Sequence, residues 1–322
     1  MDYLALDNSK ADLAKINASE GDYILISGYG TYAGVVTSCE DKGTYYELQF
    51  KPMLTISDVY VHYDKSQLAN TSLEAWIVGI LNDTYKNNAD ILQNITGFSA
   101  VATTTTSNAI LDIEENIGNL YEIIKNALIR YSVAVDFTFN FQTKAITATV
   151  SARETTQPVI EADLPNILKK SFILKQADRA TNKLSVFNAL DETEHIEYYL
   201  LSDGTIGTNS TAAGRITPVI FSTVYVEHDA DDTQTFEEMT YEKAVSSLTP
   251  AIYNNLIELT VMNDDSLVNP GQLQIGQKVT IIRNGTQYET VLTGKKIKDN
   301  TTLIFGAVRL ELTKTLKRRM KQ

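Results

Sequence analysis

The feature that most constrains this chain is a period of two that returns in short bursts, each closed by a turn. "GDYILISG" (21–28) sets Tyr23, Leu25 and Ser27 on one face of an extended strand and Ile24 and Ile26 on the other. Gly28, Gly30 and Gly34 punctuate a turn before "VVTSC", and Asp41-Lys42-Gly43 reads as a hairpin turn into "TYYELQF". Pro52 interrupts the next strand-like piece, "MLTISDVYVHY". Strands this short and this closely spaced predict a small antiparallel barrel or sandwich.

Near Asn70 the period changes to 3.6. Thr71-Ser72-Leu73-Glu74 has the form of a capping box, with Thr71 as N-cap and Glu74 reaching back. Leu73, Ile77, Ile80, Leu81 and Tyr85 then keep helical spacing until Asn87-Asn88. A looser stretch follows, with Gly97 and the run Thr103 to Thr106, which suits a strand or extended loop. A second helix is expected from about Ala109 to Tyr131, on the stripe Ile113, Ile117, Leu120, Ile124 and Leu128. Residues 132–152 alternate as a hairpin turning near Gln142-Thr143.

The third region returns to β in "KSFILKQA", "KLSVFNAL", "HIEYYLL" and "ITPVIFSTVYVE", with a turn at Asp203-Gly204 and Gly207. The acidic loop "EHDADDTQTFEE" separates these strands from a helical insertion. Thr240 is the expected cap of a helix through Ser247. Thr249-Pro250 is expected to start another, which runs into "LIELTVMN". The stretch "SLVNPGQLQIGQKVTIIRNGTQYETVLTG" (266–294) then reads as a turn at Asn269-Pro270-Gly271 and two strands joined by a tight turn at Asn284-Gly285. "TLIFGAVRLELTKTL" follows.

Residues that could carry chemistry are scattered. Cys39 is the only cysteine, so no intrachain disulfide can form, which fits folding in a reducing cytosol. His62, His195 and His228 make no HxH or HxxxH pattern. Glu114-Glu115 and Glu237-Glu238 are carboxylate pairs of the kind glycoside hydrolysis needs, but both sit where a helix is expected to start and acidic residues favour the helix dipole. Asp229 to Thr233 ("DADDT") lacks the spacing and closing Glu of an EF-hand. Gly28, Gly30 and Gly34 miss the dinucleotide spacing, and no helix follows them to hold a phosphate. We therefore assign no catalytic, cofactor-binding or metal-ligating residues and expect no cofactor and no enzyme.

The chain carries 28 basic and 40 acidic residues, a net charge of −12, which disfavours binding to DNA phosphates. Lys314, Lys317, Arg318, Arg319 and Lys321 are the exception, read either as a solvated tail or as a docking arm for an acidic neighbour. No apolar run approaches the ~18 residues of a membrane span, and the start has no signal-peptide pattern.

Two stretches carry a resemblance to a known family. One is "GDYILISGYGTYAGVVTSCEDKGTYYELQFKPMLTISDVYV" with the helix "SLEAWIVGILNDTYKNNADILQNI" after it. The other is "YEKAVSSLTPAIYNNLIELTVMNDDSLVNPGQLQIGQKVTIIRNGTQYETVLTGKKIK". Together they resemble the baseplate hub and tail-associated proteins of siphophages and their relatives in contractile tails and phage-derived bacteriocins. The resemblance implies a β-rich α+β fold: two small antiparallel β-barrels, related to tail-tube subunits, with α/β insertions. The expected domains are 1–65, a first barrel; 66–158, two helices and a hairpin; 159–228, the start of a second barrel; 229–258, a helical insertion; and 259–322, its completion with the basic tail.

The resemblance further implies a homotrimeric ring at the virion's tail tip, assembled in the host bacterial cytoplasm. The ring would adapt a sixfold tail to a threefold tip, with DNA passing through its channel without specific binding. The implied neighbours are the distal tail protein ring, a tape-measure protein, and a tail fibre or receptor-binding protein. No membrane insertion is expected. Relatives often continue into a lytic or receptor-binding region, whereas this sequence stops at "KRRMKQ". The rival functions are a cell-wall hydrolase with a split carboxylate site and a carbohydrate-binding receptor module; the 17 tyrosines suit sugars and protein interfaces alike.

Overall fold

The computed structural model describes residues 2–5, 19–28, 30–43, 46–140, 142–153, 157–174, 181–232, 234–248, 255–297 and 299–306. The chain divides into two compact units. The first is 1–155 with 262–277 and 296–301; the second is 156–261 with 278–295 and 302–322. No described helix is long and apolar enough to cross a membrane.

In the first unit, β1 (Asp2–Ala5), β2 (Tyr23–Gly28), β3 (Gly30–Asp41) and β4 (Tyr46–Pro52) form an antiparallel sheet in the order β1-β4-β3-β2. The glycines fall at the turn, with Gly28 opposite Gly30 and Gly34 inside β3 facing Ile24. Asp41 closes the next turn by accepting a hydrogen bond from the Gly43 N–H at 2.8 Å. Pro52 ends β4, and Met53–Ser57 is a 3-10 turn rather than the strand its alternation suggested; β5 is only Tyr60–His62.

The first helix, α1 (Leu73–Tyr85), is capped one residue later than expected. Ser72 Oγ accepts from the Ala75 N–H at 3.2 Å, while Thr71 Oγ1 donates back to the Gln67 carbonyl. Its inward face buries Leu73, Trp76, Ile77, Ile80, Leu81 and Tyr85. β6 is Phe98–Ala102. The second helix is half the expected length. β7 (Ile117–Asn119) pairs with β5, and α2 runs only from Leu120 to Tyr131, with Asn119 as its cap. β8 (Val133–Asn140) and β9 (Ala145–Ala152) make the expected hairpin, and β6 joins β9 in parallel. Both helices and this sheet share one core with Phe98, Ile124, Val133, Ile146 and Val150. Each large apolar side chain buried there contributes about 1.5–3 kcal/mol before entropy.

The second unit holds two mixed sheets. Its strands are β10 (Val159–Glu161), β11 (Lys169–Ile173), β12 (Lys183–Asn188), β13 (His195–Leu200), β14 (Ile206–Gly207) and β15 (Phe221–Val226). β16 (Leu256–Met262), β17 (Lys278–Arg283), β18 (Thr286–Ile297) and β19 (Asn300–Gly306) complete it. The orders are β10-β17-β18-β19-β16-β11 and β14-β13-β12-β15. β10·β17 and β12·β15 are parallel, a pairing that alternation alone does not signal. The Asn284-Gly285 turn is as read: both residues have positive φ, +50° and +71°, the type I′ signature, and Arg283 faces Thr286.

The helix α3 (Phe236–Ser247) packs on the smaller sheet through Phe236, Ala244 and Leu248, against Leu184, Val186, Tyr198 and Leu200. Its cap is Thr235 in a true capping box with Glu238, not Thr240. Thr240 is buried inside the helix and bonded to the Phe236 carbonyl and the Tyr198 hydroxyl. The helix expected at Thr249-Pro250 and the basic cluster from Lys314 to Lys321 lie outside the described residues.

Candidate functional site

Three candidates from one acidic loop meet residues of a distant strand in one place. His228, Asp232 and Glu237 line a cavity of about 480 Å³ in the second unit, with Glu194, Ile196 and Phe236. Its frame is a residue with no local sequence signal. Asn188, buried at the end of β12, accepts from the Leu190 and His228 N–H groups and donates to the His228 carbonyl and Glu194 Oε2, at 2.8–3.2 Å. All its polar capacity is spent, half on the loop that carries His228 and half on the connection from β12 to β13. The imidazole Nδ1 lies 3.9 Å from Glu194 Oε2, an ion pair only when the ring is protonated, and the ring stands 5.6 Å from that of Phe236. Asp232 accepts from the Asp229 N–H and so closes its own turn, while Glu237 sits in the first turn of α3.

The remaining candidates do not join them. Cys39 is exposed in the first unit. His62 is exposed on β5, and His195 is exposed and stacked on Phe187, rings 5.0 Å apart. Glu114-Glu115 starts no helix. The Glu114 carbonyl accepts from the Tyr63 hydroxyl, and Glu115 sits 3.7 Å from Lys65. Burial, reinforced by Glu114 and Glu115, pushes the Tyr63 phenol up to about 12. Among the described residues no group of three or more His, Cys, Asp or Glu has a geometry to hold a metal ion.

Among the described residues, carboxylates with displaced acidity are displaced downward. The Ser66 hydroxyl lowers Asp64, Thr193 lowers Asp191, Thr205 lowers Asp203, and Lys183 with Tyr199 lowers Glu197. Asp163 is lowered by the Asn284 N–H of the tight hairpin turn and then by Lys170. A general acid needs the opposite shift. These groups are held as anions to close turns and pair strands.

Two such anchors were not legible beforehand. Glu74, fully buried on α1, is the partner of the threonine run. Its Oε1 accepts from the Thr104 and Thr106 hydroxyls at 2.7 and 2.8 Å, and Oε2 from the Thr106 N–H at 2.7 Å. Burial pushes this carboxyl up, but the hydrogen bonds outweigh it and hold it below the usual range. Arg153, almost fully buried, grips Asp136 with both terminal nitrogens at 2.6 and 2.8 Å and donates from Nε to the Ile275 carbonyl at 2.7 Å. The next residue, Gly276, has φ +87°, and a Cβ there would meet Leu128 Cδ1 at 2.4 Å. Gly276→Ala should therefore cost roughly 1–3 kcal/mol, chiefly from left-handed strain, because the Leu128 tip can turn aside. A urea titration followed by the fluorescence of Trp76, the only tryptophan and buried in the first unit's core, would measure it.

No protein-family profile matches the chain, and no curated protein matches it. Solved structures do. The chain is similar to the tail protein from Neisseria meningitidis MC58, with a TM-score of 0.51 and 12% identity over 90% of this chain and 85% of that one. It is also similar to prophage tail protein gp18 from Listeria monocytogenes EGD-e, with a TM-score of 0.47 and 12% identity over 94% and 84% of the two chains. A third is the 43 kDa tail protein of prophage MuSo2 from Shewanella oneidensis, with a TM-score of 0.46 and 14% identity over 94% and 88%. These three structural neighbours are described as tail proteins, two of them from prophages, and with the Neisseria protein the chain shares a β-rich α+β fold over most of both lengths.

Proposed function

We propose that this chain is a structural, non-enzymatic hub at the tip of a phage or phage-like tail. The observation that carries the reading is the shared fold with a tail protein across 90% of this chain. In this reading three copies form a closed ring. The antiparallel sheet of the first unit and the six-stranded sheet of the second each belong to a barrel, so three chains present six barrel walls to a sixfold tail. The distal tail ring and tape-measure protein bind one side, and a fibre or receptor-binding protein the other.

The net charge of −12 suits a lumen through which DNA slides without sticking. The carboxylates held as anions fit a part whose work is shape. Light scattering across a concentration series, followed by electron microscopy, tests the proposal. A threefold ring with an acidic channel is the expected result; a monomer at every concentration, or a ring whose channel is neutral or basic, would refute it. A zymogram on purified cell walls separates the hydrolase reading. Lysis abolished by one carboxylate substitution would overturn the non-enzymatic assignment.

A further inference from the structure

The smaller sheet of the second unit ends in a strand whose outer edge is open. β15 pairs in parallel with β12, from Lys183 opposite Phe221 to Asn188 opposite Val226. The Ile220 carbonyl accepts from the Lys183 N–H at 3.1 Å, and the Val226 carbonyl from the Ala189 N–H at 2.7 Å. With a period of two, the backbone groups of Ser222, Val224 and Val226 face β12, and those of Phe221, Thr223 and Tyr225 face away. Among the described residues no strand lies beyond β15. Three N–H and three C=O groups therefore present a hydrogen-bonding ladder to solvent.

The same three residues also occupy the sheet face opposite α3. Phe221 is 73% and Tyr225 57% exposed, and Thr223 lies between them, exposed. Tyr225 continues across the sheet into Phe187, 5.8 Å away, and then His195. Sheet edges open to solvent are normally blunted by brevity, lysine, proline or a bulge. The second unit's other edge strands follow that rule: β10 has three residues, β14 two, and β11 carries Lys169 and Lys170. β15, "FSTVYV", has six residues, five of them of high β-propensity, with no charge, proline or glycine.

We propose that β15 is a strand-addition site that takes an extended segment of a separate polypeptide as a fifth strand beside it. The ladder sets the chemistry, because only an extended backbone supplies alternating donors and acceptors at strand spacing. The side chains set the pattern. Residues i and i+4 of the incoming strand are apolar or β-branched, to lie beside Phe221 and Tyr225, and residue i+2 carries a hydroxyl, to lie beside Thr223. The β15 of a second copy is not the occupant: β15 against β15 is a two-fold contact that closes as a dimer, which a threefold ring does not accommodate. That exclusion of the second copy alone rests on the hub reading.

The test is amide hydrogen exchange on the full chain with a blocked peptide, acetyl-KITTTIK-amide, at millimolar concentration. In the free chain the amides of Phe221, Thr223 and Tyr225 should exchange fast and those of Ser222, Val224 and Val226 slowly. The peptide should slow the first three by roughly tenfold or more, and a form N-methylated at alternate residues should not. Thr223→Pro removes an outward N–H and should abolish the slowing while Ser222, Val224 and Val226 stay protected. Thr223→Lys, a gatekeeper that keeps the backbone donor, should weaken it.

No slowing by the peptide, equal slowing by its N-methylated form, or slowing by chitotriose instead would overturn the proposal. So would a mass that doubles with concentration in the parent chain but not in Thr223→Pro, since that assigns the edge to a second copy. None of these outcomes depends on ring formation, so the hub reading and this one can fail separately.

Discussion

Gly306→Ala should strongly destabilise the second unit. Gly306 closes β19 at φ +83°, a region that costs an alanine about 1–3 kcal/mol. The larger problem is space. A Cβ on Gly306 would lie 1.7 Å from the Asn255 carbonyl oxygen and 2.8 Å from its carbon. Both are backbone atoms, so no rotamer change relieves the overlap, and strand β19 or the start of β16 must move. With strain and overpacking together, the loss should be on the order of 3–5 kcal/mol. That is a large share of the 5–15 kcal/mol of a typical domain. Far-UV circular dichroism through a urea titration measures it, and an unchanged midpoint would contradict this account of the β16–β19 corner.

The second large effect is at Glu74. Glu74→Ala strands the Thr106 N–H and two threonine hydroxyls in a buried place and leaves a cavity, at a cost of about 3 kcal/mol or more. Glu74→Gln keeps the shape and loses the charge, and should cost less than half as much. The two also differ in pH behaviour. The folded carboxyl titrates below its unfolded value, so its stabilisation is complete above an unfolded pKa of about 4.3 and fades as pH falls through the lower folded value. The gap between the parent chain and Glu74→Gln should therefore be constant at neutral pH and narrow below about pH 4. Trp76 emission reads the same core that Glu74 anchors; a gap that widens in acid would mean the carboxyl is protonated in the folded state.

What the sequence disclosed, and what it hid, follows from the range of each interaction. Strand identity came from alternation, the hairpin at Asn284-Gly285 from left-handed backbone, and α1 from its apolar stripe. Each signal lies within a few residues. The second helix was read too long because Ile113 and Ile117 continue the stripe of Leu120 and Ile124, yet Ile117 pairs in β7 and Asn119 supplies the cap. Thr240 was read as a cap because it precedes the apolar-periodic run; Thr235, with Glu238 three residues on, was the better capping box.

The Glu74–Thr106 and Asn188–His228 contacts span 32 and 40 residues. Nothing local marks them, and Glu74 was assigned the nearest job, a reach back to the cap. Of the candidate site, His228, Asp232 and Glu237 were each legible as chemistry-bearing residues. They share one loop; what stays hidden is their meeting with Glu194 and Ile196, because it depends on the long-range Asn188 clamp.

The parallel pairing of β10 with β17 has a consequence in time. Val159 pairs with Thr280, so 280 − 159 = 121 residues separate the two strands. At a synthesis rate of roughly 5–20 residues per second, β10 leaves the ribosome about 6–24 s before its partner exists. Through that interval Ile160, destined for complete burial, has no sheet to enter. Only three residues of β10 are committed to the pairing, so the edge left waiting is short, and the larger sheet of the second unit cannot close before β17 has been made.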